Sequence, residues 1–471
     1  GKFGSYTSYR RQQAEGWQLN PYEENSKTHE LEETGKVAST GFYANTVNQK
    51  FTFDATDKLS FYARGGYYDN KTRRPYEAYD YNILHETFNY GIGAQYMINK
   101  GNYITADCYA DHFSSSYCFF KDNKTYNGKA GEEQVRKRTR NHNLSIKGIF
   151  KLGNRHKLSV GTEYIVDVLK SQTDNIAKED AYTLALFAQD EIKLLRNLQA
   201  LIGVRYIYHE NFKNHATPNV ALMYKPGKFN FRASYAAGFR TPTLSELYAT
   251  DIAKKNDRLT IGNLDLKPEK NNYFSLSAEY VHERFSVSVN AFYNNIRDMI
   301  DYNTIATGDK AMEQYGHKEV RQRDNIAEAK VHGINVSANA YLGAGFNLSG
   351  GYTHLNTQDV ELEQPIDKSI KNAYNINAQW AHSWKIYRLN INLNGRFNSK
   401  RFSKSYGYAP EYQLWDLNTR HSFNLKSVII EPGCGMENLF DYMDDRPYNS
   451  NYATLTPGRS FYISLSLKFK S

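Results

Sequence analysis

Cysteine is nearly absent: 471 residues contain three, Cys108, Cys118 and Cys434. Three cannot build a disulfide scaffold. Cys108 and Cys118 share one extended stretch, which at ~3.3 Å per residue sets them about 33 Å apart, beyond bonding reach. Proline is scarce (11 residues), so neither a collagen-like nor a Pro-rich disordered chain is at hand. Long hydrophobic runs are missing too. No stretch of even twelve apolar residues occurs, whereas a spanning helix needs about 20. Mean hydropathy is −0.70 and 23% of residues are charged, which excludes a helical membrane bundle. Signatures of catalysis are also lacking: there is no phosphate-cradling Gly loop, no HExxH and no GxSxG. The 13 histidines are scattered, and His142, His332 and His354 read as wall residues rather than ligands. No enzyme, resident cofactor or metal is expected. The net charge of +9 admits anionic partners, but it is spread along the chain, so nucleic acid is not expected.

What the sequence has is aromatics (14%, with 39 Tyr) and a period of two. Phe461, Ile463, Leu465, Leu467 and Phe469 alternate with Ser460, Tyr462, Ser464, Ser466 and Lys468. Residues 285–290, 334–342 and 389–394 read the same way. Such alternation predicts strands with one greasy and one hydrophilic face. The connections alternate as well. Short polar turns at 54–58, 99–102, 152–156, 196–197, 226–228, 282–284 and 343–345 interleave with long Tyr- and Asn-rich stretches at 16–37, 71–85, 121–134, 239–270, 298–324, 356–370 and 441–457. Strands laid between them number about 20. No composition break marks a second domain, so residues 1–471 read as one unit.

An all-β meander of this size has three candidate architectures. A soluble sandwich array lacks the loop asymmetry. A propeller calls for a blade signature every ~40–50 residues, which is absent. The third is a transmembrane antiparallel β-barrel. About 20 strands enclose a space far too wide for side chains to fill, so the inner face must be wet and the apolar face must look out at lipid. Tyr and Phe then form the girdles at the two interfaces.

Specific segments narrow the reading. Tyr235-Ala-Ala-Gly-Phe-Arg-Thr-Pro-Thr-Leu-Ser-Glu-Leu-Tyr248 is followed by Gly262-Asn-Leu-Asp-Leu-Lys-Pro-Glu269. Asn438-Leu-Phe-Asp441 precedes Gly458-Arg-Ser-Phe461, which opens a last strand. In order and spacing these resemble motifs of the TonB-dependent outer-membrane receptors. The resemblance implies a barrel in the outer membrane of a Gram-negative bacterium, and active uptake of a bulky, scarce solute energised through the TonB complex. The family barrel has 22 strands. Residues 4–13 and 39–54 resemble its third and fourth strands, so the plug domain and first hairpin are expected to be missing from this chain. The run Phe61-Tyr-Ala-Arg-Gly-Gly-Tyr-Tyr-Asp-Asn-Lys-Thr72 resembles a strand of the vitamin B12 receptors. Cobalamin is therefore the first ligand expected. Haem ranks second, because residues 240–268 hold no His, and a ferric siderophore ranks third. A surface lipoprotein capping the Tyr-rich loops is compatible with the resemblance. From other classes, a passive porin-type channel stays open, since 239–270 and 298–324 are long enough to fold inward as a constriction; so does a structural adhesin barrel.

Candidate site residues follow from chemistry. Tyr76, Tyr79 and Tyr81 offer flat amphipathic surfaces and Asn82 a donor and an acceptor, which suits a mixed-polarity ligand; loop packing is the plainer alternative. Tyr248 is a further ligand contact. The elements around Pro242 and Pro268 read first as loop feet, with Glu246 or Glu269 pairing with Arg240. Arg136, Arg138 and Arg140 alternate with the phase of Leu144 and Ile146, which aims them outward, above the lipid band, toward lipid or lipopolysaccharide phosphates. The acidic residues Glu23, Glu24, Glu30, Glu32, Glu33, Glu77 and Asp80 read as a solvated loop.

Overall fold

The computed structural model describes residues 2–469 except 26–27, 254–256, 405 and 452. Its main sheet has 22 strands. Two of these, Thr250–Ala253 and Arg258–Ile261, form a hairpin inside one loop, which leaves 20 in the wall. The wall is an antiparallel meander running from Phe3–Ala14 and Gly41–Asp54 to Val428–Glu437 and Ser460–Phe469. Each strand pairs with the next in sequence, as period two with tight turns requires. Among the described residues no helix is long and apolar enough to cross a membrane, which leaves crossing by strands open.

The register lines up residues on common faces. Phe285, Ala340, Leu348, Ala378, Leu393, Leu417, Met436 and Phe461 are successive partners across eight strands. One residue along, the partners are Ser286, Asn339, Ser349, Asn377, Asn394 and Asp416. The first row is all apolar and the second all hydrophilic. The apolar row is not a core: Phe461 is 71% exposed and Ile463 90%. So much exposed greasy surface is stable only against hydrocarbon. On the other face Asn377 donates to Asn392 and Asn394 at 2.6 and 2.5 Å, an amide ladder suited to a hydrated interior. The two free cysteines of one strand, Cys108 and Cys118, lie within Asn102–Phe119 as expected.

The connections sort by rim. At one rim sit turns such as 55–58, 100–101, 153–155, 196–197 and 344–345. At the other sit 15–40, 74–80, 120–132, 241–268, 308–318, 360–371, 399–411 and 438–459. Two long stretches expected as loops are mostly strand: 71–85 shrinks to 74–80, and 298–324 to 308–318. Glu319–Gly343 runs for 25 residues, although about 10 span lipid, so the wall continues well above the membrane. There both faces meet water, and polar strands lose the alternation that marks them. Two connections at that rim, 172–175 and 210–212, are too short to stand out in the sequence.

The paired motifs are the feet of long loops. Arg240 binds Glu269 at 2.6 and 2.8 Å and Glu246 at 2.9 and 3.2 Å, so both expected partners are used. Thr243 caps the short helix Leu244–Tyr248 in a reciprocal box with Glu246. Asn438, at φ 52°, closes a turn with Tyr442 through both amide atoms, at 2.7 and 2.9 Å. Asp441 accepts the Arg459 N–H at 2.7 Å, which ties the far foot of the same loop to the near one.

Candidate functional site

The richest chemistry lies at the long-loop rim, where 74–80 and 120–132 pack together. Tyr81 opens the strand Tyr81–Asn99 on the hydrophilic, lumenal face. Its ring stacks on Tyr117 at 4.0 Å and 23°. Tyr126 stands edge-on to both rings, at 5.7 and 5.1 Å. Two guanidinium groups intercalate. Arg74 lies over Tyr79 at 4.5 Å and over Tyr81 at 4.9 Å. Arg136 lies over Tyr117 at 5.3 Å and over Tyr126 at 4.9 Å. The result is a pile centred on the stacked Tyr81–Tyr117 pair, with Arg74 against Tyr79 and Tyr81 and Arg136 against Tyr117 and Tyr126. Each cation–π contact contributes about 0.5–2 kcal/mol, according to how far it is desolvated.

The loops are held in place from beneath. Asp80 accepts the backbone N–H groups of Phe120 and Lys121 through its own carbonyl, at 2.9 and 3.1 Å. Its side chain accepts from Asn123 at 2.7 Å. Phe119, 3% exposed, plugs the base beside Tyr81. Burial, with Tyr81 next to it, pushes the Tyr126 hydroxyl above its ordinary pKa.

The expected residues fare differently. Tyr79 and Tyr81 belong to the pile. Tyr76 stands apart, 59% exposed, stacked on Phe120 at 5.4 Å under the Lys121 ammonium at 3.7 Å. Asn82 points to the opposite face from Tyr81, and its oxygen accepts the Arg74 N–H at 2.8 Å. It fixes the turn that aims Arg74, a structural role. Tyr248 lies in another loop, against the cluster of Leu247, Leu266 and Ile300. Burial raises its hydroxyl pKa, with Glu179 and Glu210 adding to the shift.

The arginine row needs a correction. Arg138 and Arg140 do share a face with Leu144 and Ile146. Arg136 does not. The pairing slips between Ser115 and Ser116, opposite Val135 and Lys137, and leaves Arg136 as the extra residue of a bulge. A bulge re-aims a side chain, and Arg136 turns to the lumenal Tyr117. It also donates to Gln172 at 2.9 Å. Arg74 was not among the expected site residues; Arg-Arg-Pro followed by alternating Tyr was the available signal. Nor was Arg323, which lies 3.5 Å from the Tyr302 ring on the neighbouring strand.

In the acidic hairpin Tyr22–Glu24/Leu31–Glu33 three of the acids have partners. Lys36 binds Glu23 at 2.6 Å, His29 pairs with Glu24 at 2.7 Å, and Asn25 donates to Glu32 at 2.7 Å. Among the described residues no group of three or more His, Cys, Asp or Glu converges as a metal site would require.

Chemically, the pile presents flat π-faces and delocalised cations, a surface for an anionic, ring-bearing solute at the mouth of a wet lumen.

Known proteins agree with this architecture. The family described as "TonB dependent receptor-like, beta-barrel" matches residues 3–438. The fold is similar to the ferric enterobactin receptor PfeA of Pseudomonas aeruginosa, with a TM-score of 0.82 at 15% identity, over 98% of this chain and 75% of that one. It is similar to the siderophore receptor PirA of Acinetobacter baumannii, with a TM-score of 0.75 at 15% identity and the same coverages, 98% and 75%. A copper transporter, OprC, matches with a TM-score of 0.72 at 10% identity, again over 98% and 75%. At such identities the likeness shows the fold alone. The family match, the 20-strand wall and its greasy outer face together make this chain a member of the TonB-dependent receptor β-barrel family, resident in the outer membrane.

Proposed function

We propose that the protein is an active importer of a ferric siderophore, energised through TonB, and not an enzyme. The observation that carries the ligand class is the Arg74/Arg136 pile, whose cations and phenol faces complement an anionic chelate with aromatic or amide-rich arms. The net charge of +9 favours capture of anions. Likeness to receptors named for enterobactin and other siderophores supports the same ranking. Cobalamin, the first expectation from the strand at 61–72, finds no counterpart in these likenesses. The copper transporter keeps metal cargo in view, but the absence of a convergent donor set among the described residues favours a chelate over a bare ion.

The test is equilibrium binding to the full-length protein, with ferric enterobactin, cyanocobalamin and haemin side by side. Ferric enterobactin is expected to bind at submicromolar Kd. Arg74→Gln with Arg136→Gln is expected to weaken it about tenfold or more, the loss of about 1.4 kcal/mol or more. Tight cyanocobalamin binding without siderophore binding would reverse the ranking.

A further inference from the structure

On two adjoining strands of the wall, three cations without partners lie together on the lipid-facing side. Along the strand Glu133–Leu152, the outward residues run Leu152, Phe150, Gly148, Ile146, Leu144, His142, Arg140, Arg138. From His142 to Leu152 is ten steps, about 34 Å at ~3.4 Å each, and about 26 Å along the membrane normal at a tilt of ~40°. That is about the height of a barrel's apolar band. His142 lies in one registered row with Tyr90, Ala110, Val166 and Tyr182, which marks the interface. Arg140 and Arg138 are the next two outward residues above it.

Lys170 is the registered partner of Arg138 on the adjoining strand, about 5 Å away between Cα atoms. Arg140 lies two residues on, about 7 Å along. All three are exposed. None makes a hydrogen bond or ion pair among the described residues. Of the outward acids on the neighbouring strands, Glu86 accepts from Tyr67 at 2.7 Å and Ser114 at 3.4 Å, and Asp180 pairs with Lys178 at 3.0 Å; Glu133 lies at the start of the same strand, five residues from Arg138. Unpaired cations at the edge of hydrocarbon call for a counter-charge, and guanidinium forks match phosphate oxygens.

We propose that Arg138, Arg140 and Lys170 seat the phosphorylated headgroup of an outer-leaflet lipid. The seat lies on the opposite face from the Arg74/Arg136 pile and rests on the outer-membrane location, not on the ligand reading.

The test extracts the full-length protein from its own outer membrane in mild detergent and measures retained phosphorylated glycolipid by mass spectrometry. Arg138→Gln/Arg140→Gln/Lys170→Gln is expected to retain about fivefold less than wild type. Lys147→Gln/Lys151→Gln/Lys157→Gln, on the same two strands but facing the lumen, is expected to retain the wild-type amount. Equal retention in all three proteins, or equal loss in both variants, would overturn the proposal. A second measurement needs no variant. Wild type in vesicles of phosphorylated glycolipid is expected to melt several degrees higher than in vesicles of the dephosphorylated form. Inorganic phosphate added to the latter is expected not to restore the difference. No difference between the vesicles would refute the seat, and full restoration by free phosphate would refute a lipid source.

Discussion

Gly128 faces the buried Phe119 ring so closely that an added Cβ would come within 2.5 Å of it. Gly128→Ala is expected to push Phe119 out of the base of the aromatic pile, at a cost of about 1–3 kcal/mol. Faster hydrogen exchange across 119–132, with the rest of the wall unchanged, is the readout. Asp444 is the other residue with a sharp consequence. It is 3% exposed, and burial alone would raise its carboxyl pKa. Arg446, at 2.8 and 2.9 Å, and the Ala453 N–H, at 2.8 Å, outweigh burial and hold it below the ordinary aspartate value. A depressed carboxyl stabilises the folded loop fully above its unfolded pKa, and that contribution disappears as pH falls through the folded value. Protection of 441–451 from exchange, corrected for intrinsic rates, is therefore expected to fall as pH drops below the ordinary aspartate range. Asp444→Asn is expected to remove that pH dependence and to cost about 2–3 kcal/mol.

At the scale of the loop and the strand, Arg240 joins the end of Phe229–Arg240 to Glu246 within the loop 241–268 and to Glu269 at its far foot. Without it, Glu246 and Glu269, whose side chains are 14% and 15% exposed, would face each other unneutralised. Arg240→Ala is expected to speed proteolysis of 241–268 and to destabilise that segment by about 2 kcal/mol, discounted for the partial exposure of Arg240. Arg240→Lys is expected to recover only part of this, because a point charge cannot fork to two carboxylates. These feet were legible in the sequence because Pro, Asn and paired charges at fixed spacing have local reasons to be there. The slip beside Arg136 was not. Inside the bilayer a one-residue shift would turn a whole greasy face to the wrong solvent, so parity holds and residues 285–290, 334–342, 389–394 and 460–469 were read correctly. Above the lipid both faces are wet, a bulge costs little, and counting by twos fails. The aromatic pile was hidden for a related reason. Tyr117 and Tyr126 meet Tyr81 only through strand pairing, which no local window reveals.

For the molecule as a whole, the two faces predict opposite responses to the same substitution. Val289 sits in the apolar row with Tyr224, Phe231, Ala278 and Val336, and is 41% exposed. Val289→Arg is expected to destabilise the protein in bilayers by about 2–4 kcal/mol. Asn339→Arg, on the hydrophilic face, is expected to stay within about 0.5 kcal/mol. Denaturant titration in vesicles compares the two. The strands Phe3–Ala14 and Ser460–Phe469 each register with a single neighbour, Gly41–Asp54 and Val428–Glu437. Their outer margins are rails of amide donors and carbonyl acceptors, which hydrocarbon does not tolerate bare. Hydrocarbon offers those rails no partner but another strand, so in the bilayer each margin is expected to be paired rather than bare.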